Sequence, residues 1–361
     1  LDPTDHTLVR NESGIEALPE TEFHGEHLGA YKDIVLKHLT QRKLHQWLGA
    51  ARNRVVRVEE VDSVLSEASD LARNILGGSQ LIPISTILHD WQTEDALSVG
   101  RWPLPWLNNL LGGIEATDLI LVGGRPSSGK TAFAIQVAMN NAIQRKPVLI
   151  FSMDTARSKL IRRLLCMQTG LSVKNIKAME RALNDPSVMS PQMSMLRRGV
   201  RELLELPIFI DDTRSLTAFD VAARSHAHAA RYGPPALVIV DFIQLLRLDP
   251  RRNSVQELDE ASQTIRALAG DLRCAVIALS QLSRDSEKRE TQRPKSSDLR
   301  GSGGLEQNAD VVMFLTKSDT QDPKKELHNT LIIVDKSKDT ETGEKEVWFD
   351  RDRMLFKEPT E

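Results

Sequence analysis

The sequence predicts an α/β protein with a mostly parallel sheet flanked by helices, and three observations carry that reading. Short apolar runs recur with helical stretches rich in Ala, Leu and Arg between them: Leu119 to Val122, Val148 to Phe151, Ile208 to Ile210, Leu237 to Val240, Ala275 to Leu279, Val311 to Leu315 and Leu331 to Val334. Runs that are apolar throughout, instead of alternating, describe strands covered on both faces. The first run leads into Gly124-Arg125-Pro126-Ser127-Ser128-Gly129-Lys130-Thr131 and then a helix beginning Ala132-Phe133-Ala134. The run Ala236 to Val240 ends in Asp241, at the strand's carboxyl edge, where open α/β sheets bind ligands.

At 361 residues, 40% hydrophobic and 27% charged, the chain is expected to hold one large domain and an appendage. It has no apolar run near the roughly 18 residues of a membrane span. Residues 1 to 30 carry net charge −6, which leaves the rest at +3, and they read as an acidic loop or the remnant of a removed domain. From Tyr31, Val35, Leu36, Leu39, Leu44, Trp47 and Leu48 mark one amphipathic helix, and Val58 through Ile75 a second, ended by Gly77 and Gly78. A helical hairpin is expected over 31–78. In the 79–100 linker, Ser85 can cap a short helix with Ile84, Ile87, Leu88 and Trp91 on one face. That stripe packs either within its own domain or on a neighbouring subunit. The α/β domain is expected over 101–361. Cys166 and Cys274 sit in apolar stretches without paired spacing, which speaks against a disulfide framework or zinc cluster. The first residue is Leu1 and no leader precedes it, as expected of a chain beginning inside a longer protein.

Gly124 to Thr131 fits G-x-x-x-x-G-K-[ST] in its strand, loop, helix context. Glycines let backbone N–H groups approach phosphates, and the helix N-terminus adds partial positive charge. Nucleotide contact is assigned to Gly124, Ser127, Ser128, Gly129, Lys130, Thr131 and Ala132, with Lys130 bridging the β and γ phosphates of ATP and Thr131 ligating Mg²⁺. Asp241 is the second candidate for Mg²⁺; the alternative is a turn former. Asp154 follows the strand that ends at Phe151 and is the candidate to orient water, with a helix cap as its other reading. Gln281, after Ala275 to Leu279, is placed to sense the γ-phosphate.

With these strand ends assigned, the chain resembles the helicase domain of the DnaB family of replicative hexameric helicases. The resemblance runs through Gly124 to Ala134, Phe151 to Leu165, Val238 to Leu246, Ala278 to Arg284 and Arg293 to Leu315. Its most specific part is Arg293-Pro294…Ser297-Asp298-Leu299-Arg300-Gly301-Ser302-Gly303…Glu306-Gln307…Ala309-Asp310. It implies a RecA-like fold, ATP and Mg²⁺, a homo-hexamer on single-stranded DNA, a helicase loader and primase as partners, and a place at the replication fork in the cytoplasm of a bacterium or phage-infected cell. The hairpin and linker helix are similar to the tail of the family's N-terminal domain and its linker. Arg163 matches an arginine that reaches the nucleotide phosphates. Two positions differ from the family: Asp154 stands where it has a catalytic Glu, and Lys336-Ser337-Lys338 where it has a Lys-x-Arg finger.

Leu331 to Lys338 reads as a strand with Ile332, Val334, Lys336 and Lys338 on one face. Either the lysines form a solvated strand end or they meet an anion, such as a neighbouring subunit's γ-phosphate. DNA contact is expected from Arg251 and Arg252, and from Arg300 with the loop Gly301-Ser302-Gly303, which in the family grips successive phosphates. Two other readings compete with the helicase: another RecA-like ATPase of the recombination or Twinkle type, and a weakly hydrolysing ring scaffold or loader-binding module.

Overall fold

A computed structural model describes Ile84 and residues 98–185, 187–246, 254–282, 293–299, 302–318 and 327–359. The chain divides into two compact units, Leu1–His89 and Asp90–Glu361. Ile84 is helical and exposed; the acidic stretch, the helical hairpin and the rest of the linker helix lie outside the described residues. All other described elements belong to the second unit.

That unit opens with β1 (Ser98–Gly100), paired antiparallel with β2 (Ile114–Glu115) around α1 (Pro105–Leu111). Nine further strands make one sheet: β3 (Leu119–Gly124), β4 (Val148–Ser152), β5 (Ile208–Asp211), β6 (Leu237–Asp241), β7 (Ala275–Gln281), β8 (Val311–Lys317), β9 (Leu327–Ser337), β10 (Gly343–Asp350) and β11 (Leu355–Lys357). Their order is β11-β10-β9-β8-β3-β7-β6-β4-β5. From β8 to β5 neighbours run parallel, and β9, β10 and β11 join antiparallel on the β8 side. The mostly parallel sheet expected from the apolar runs is present, with β3 near its middle.

Parallel strands need crossover helices, and these bury both sheet faces. On one face α2 (Lys130–Ile143) and α3 (Arg157–Thr169) pack with α1 over Ile120, Val122, Ile150 and Ile239. On the other, α6 (Ala218–Tyr232), α7 (Ser254–Leu272) and α8 (Ser302–Asn308) cover Leu119, Leu121, Val238 and Val240. A satellite core around Cys166, Ile176 and Leu196 joins α3 to α4 (Val173–Met179) and α5 (Pro191–Leu204). Local signals set the helix ends. Ser172 and Ser190 accept from the backbone at the starts of α4 and α5, and Thr217 with Asp220 forms a capping box for α6. Among the described residues no helix is long and apolar enough to cross a membrane.

Two sequence expectations need correction. Ile332 and Val334 pack with the Ile120 face, but the register between β8 and β9 shifts so that Met313 faces Val334 and Val312 faces Lys336. The extra residue, Asp335, is a β-bulge that breaks strict alternation. Lys336 therefore shares the face of Val312 and reaches α8, and does not continue the Ile332 and Val334 stripe. The second correction concerns Ser302 and Gly303, which begin α8 instead of lying in a loop. A Cβ on Gly304 would overlap the Asp259 carboxylate on α7, so a glycine there lets the two helices approach closely.

Candidate active site

The phosphate loop leaves β3 at Gly124 and re-enters regular structure at Lys130. Gly129 turns the chain with φ +96, and a Cβ there would meet the Phe356 ring at 2.7 Å, so only glycine suits the position. At Gly124 a Cβ would meet the Ser128 Oγ at 2.5 Å and the Leu315 carbonyl at 2.8 Å. Gly129 also starts α2 without a side-chain cap, leaving the first amides of a 14-residue helix to face the loop. Aromatic rings support the loop from below. Phe349 and Phe356 stack with centroids 4.2 Å apart, and Phe133 meets Phe356 edge-on at 5.6 Å. Gln136 clasps β11, its Nε2 donating to the Phe356 carbonyl at 2.9 Å and its Oε1 accepting the Phe356 amide at 2.7 Å.

Lys130 Nζ donates to the carbonyls of Gly124 at 2.7 Å and Arg125 at 2.9 Å, folded over its own loop. Burial lowers its pKa to about 8, against the opposing charges of Asp241 and Asp154. The Thr131 hydroxyl donates to Asp241 Oδ2 at 2.9 Å. Asp241 is buried, and that burial raises its pKa, with the Thr131 hydrogen bond acting the other way. Its peptide bond to Phe242 is cis. Beside them the Ser128 Oγ is buried with no hydrogen-bond partner among the described residues. A threonine hydroxyl paired with a carboxylate is an oxygen set that suits Mg²⁺, and an orphaned hydroxyl with free helix amides suits phosphate oxygens. The residues present fit a magnesium nucleotide.

Register places the remaining groups. Gln281, the last residue of β7, stands opposite Gly124. It is braced by a residue the sequence reading missed: Gln244, in the short turn Ile243–Leu245 after β6, donates to the Ser280 Oγ at 2.7 Å and accepts the Gln281 amide at 3.2 Å. The only signal was its position three residues beyond Asp241. Ser152, ending β4, pairs with Asp241, and the next turn brings Asp154 to the same edge, exposed. Asp154 is not a cap: α3 is preceded by Ala156, and its first amide, from Arg157, is bound by Asp212 at 3.0 Å. Arg163 projects from α3. Burial lowers its pKa, with the charges of Asp241 and Asp154 opposing, so the guanidinium and both carboxylates share one neighbourhood. The carboxyl ends of β3, β4, β6 and β7 thus converge Lys130, Thr131, Asp154, Asp241 and Gln281.

Lys336 and Lys338 lie elsewhere. Ser337 pairs with Val311, the first residue of β8, so the lysines stand at the opposite edge of the sheet from the phosphate loop, about 17 Å away along a strand of this length. Lys336 Nζ donates to the Glu306 carbonyl at 2.6 Å, and Lys338 Nζ to Asp310 Oδ1 at 2.7 Å. The anion expected between two close ammonium groups is present within the chain, as Asp310. Of the proposed DNA contacts, Arg251, Arg252, Arg300 and Gly301 lie outside the described residues.

A mostly parallel sheet with a phosphate loop after its central strand, a strand-end Asp hydrogen-bonded to the loop threonine and a strand-end Gln beside the loop define a RecA-like P-loop NTPase domain. The chain belongs to the DnaB-like helicase C-terminal domain family, whose sequence profile matches residues 103–358. It is 34% identical over 254 residues to the replicative DNA helicase DnaB of Geobacillus stearothermophilus, covering 69% of this chain and 54% of that protein. With the replicative DNA helicase DnaC of Bacillus subtilis it shares 34% identity over 231 residues, 63% of this chain and 49% of that one. The chain spans about half the length of these curated relatives. Among solved structures it resembles an isolated ATPase domain, with TM-score 0.66 and 26% identity over 77% of this chain and 97% of the other. It also shares the fold of a DnaB-like replicative helicase described with its interactions with primase, with TM-score 0.70 and 24% identity over 92% of this chain and 79% of that one.

Proposed function

We propose that this chain is the motor of a replicative DNA helicase: a homo-hexameric ring that hydrolyses ATP, moves 5′ to 3′ along single-stranded DNA and unwinds duplex at the fork. The observation that supports it most is the convergence of Lys130, Thr131, Asp154, Asp241 and Gln281 at one sheet edge in a chain of this family. Mg²⁺, held by Thr131 and Asp241, would supply positive charge to the β and γ phosphates. Lys130 swings from the loop carbonyls to those phosphates, the free amides of α2 bind their oxygens and Arg163 adds a second cation. Asp154 orients the attacking water. Gln281 hydrogen-bonds the γ-phosphate, so its position reports whether that phosphate is present.

The neighbouring subunit completes the site through Lys336 and Lys338, a reading supported by their place at the far edge of the sheet, where a ring can present them to the next phosphate loop. Lysine offers a point charge and not a bidentate fork, so turnover is expected to be slower than with Arg at 338. Arg251, Arg252, Arg300 and the backbone at Gly301, Ser302 and Gly303 hold DNA phosphates, and repetition around a ring makes modest local charge sufficient. Primase and a helicase loader are the proposed protein partners, and the replication fork in the cytoplasm is the proposed place of action.

ATP hydrolysis measured with and without single-stranded DNA, followed by unwinding of forked duplexes of both polarities, tests this reading. DNA-stimulated hydrolysis that Lys130→Ala abolishes, with unwinding of one polarity, is the expected result. Hydrolysis indifferent to DNA, with no unwinding by the full-length protein, would overturn it.

A further inference from the structure

Asp310 occupies a junction at the edge of the sheet remote from the phosphate loop. It is buried and precedes β8. Its Oδ1 accepts Lys338 Nζ at 2.7 Å. Its Oδ2 accepts the Leu119 amide at 2.9 Å and a short hydrogen bond from Arg266 on α7. The backbone repeats the connection: the Asp310 amide donates to the Leu119 carbonyl at 2.9 Å, and the Lys338 amide donates to the Asp310 carbonyl at 3.1 Å. Leu119 is the first residue of β3, and β3 ends in the phosphate loop. One carboxylate therefore binds both the tip of β9 and the foot of the strand that carries the loop.

A lysine is a poor fixed charge, because four rotatable carbons let its ammonium wander. At a strand end with 41% of its side chain exposed, Lys338 would sample many positions without a tether. Arg266 and Lys336 nearby are both cations, and neither holds it. Asp310 is the acceptor that meets its ammonium, and Asp310 is itself fixed by a backbone amide and a guanidinium.

We propose that Asp310 is a positioning residue for the trans-acting lysine, holding Lys338 Nζ at a set place relative to β3 and hence to this subunit's own phosphate loop. This rests on the reading that Lys338 serves the neighbouring subunit's nucleotide. A finger that stabilises charge developing during hydrolysis works only if its position is set beforehand. The Asp310 carboxylate does this, and it makes finger and phosphate loop parts of one rigid block.

The test places each change in subunits that cannot hydrolyse, so that only their effect on neighbours is read. Wild-type subunits are mixed into rings with subunits carrying Lys130→Ala alone, Lys130→Ala with Lys338→Ala, or Lys130→Ala with Asp310→Asn, with mixing confirmed by native mass spectrometry. If the proposal holds, both double variants lower wild-type turnover several-fold below the Lys130→Ala mixture. The Asp310→Asn effect then falls on kcat with KM for ATP unchanged, the signature of an interaction made in the transition state. If Lys338→Ala lowers neighbour turnover and Asp310→Asn does not, the positioning role is wrong and the finger stands. If neither does, finger and positioning role fall together. Should Asp310→Asn not form rings, Asp310→Glu replaces it, keeping the charge but moving the carboxylate by one methylene, and the same outcomes apply.

Discussion

The Thr131 hydroxyl and the Asp241 carboxylate meet at 2.9 Å, joining the first turn of α2 to the end of β6 across 110 residues of sequence. Thr131→Val removes one oxygen from the proposed Mg²⁺ set and one hydrogen bond worth about 1 kcal/mol. The fold is expected to survive, and the Mg²⁺ concentration for half-maximal hydrolysis to rise tenfold or more, while Thr131→Ser stays near wild type. A Mg²⁺ titration that is the same for Val and Ser would remove Thr131 from the metal.

Gly129→Ala puts a methyl group 2.7 Å from the Phe356 ring at a backbone φ of +96. We expect a loss of about 1–3 kcal/mol in thermal unfolding together with loss of nucleotide binding. Gly170 caps α3 at φ +71 with open space around its Cβ position, so Gly170→Ala should cost about 1 kcal/mol and leave binding intact. Equal effects of the two on binding would mean that the rings beneath the loop do not shape it.

Asp154→Asn is predicted to leave stability within about 0.5 kcal/mol of wild type, as for an exposed side chain outside any cap. Nucleotide affinity should be retained and hydrolysis should fall a hundredfold or more. Equilibrium binding of a fluorescent ATP analogue beside single-turnover hydrolysis separates the two. Unchanged hydrolysis would leave Asp154 without the proposed role.

Asp118 lies at the far edge of the sheet, where burial and then the charges of Asp310, Glu115 and Asp339 push its pKa from 3.8 up to about 7. Between those values the folded chain keeps a proton that the unfolded chain releases, so this group lowers stability as pH rises from about 4 to about 7 and adds no further loss above that. Asp118→Asn should match wild type in stability near pH 4 and exceed it at pH 8. With solvent screening of a half-exposed group, the gain is on the order of 1 kcal/mol. Urea titrations at both pH values measure it, and a difference independent of pH would contradict the assignment.

Much of the site was legible because it is encoded locally. Lys130, Thr131, Asp154, Asp241 and Gln281 each follow directly on an apolar run, so finding the strands also located their carboxyl ends. The misplaced features depend on chain segments far apart. Period-two alternation put Lys336 with Val334, and one inserted residue, Asp335, reversed it. In β10, Glu344, Lys345 and Glu346 mask an edge strand that buries side chains chiefly from Val347 onward. Gln244 is a neutral amide in a turn, and its role exists only once β6 and β7 are neighbours. The glycines of Gly301-Ser302-Gly303-Gly304 suggested a loop, but close packing of α8 on α7 requires the small residue at 304.

The clasp between Gln136 and Phe356 spans 220 residues, which bears on when the site comes into being during synthesis. The loop and its helix emerge from the ribosome early, whereas the rings that underlie Gly129 belong to β10 and β11, made more than two hundred residues later. Long-range pairing of this kind is a late and slow event in folding. A nascent chain halted before Leu355 is therefore expected to display the phosphate-loop sequence without a nucleotide-competent loop. Photo-crosslinking of an azido-ATP to ribosome-bound chains of stepped length should show labelling begin only once residues 355–357 have cleared the exit tunnel.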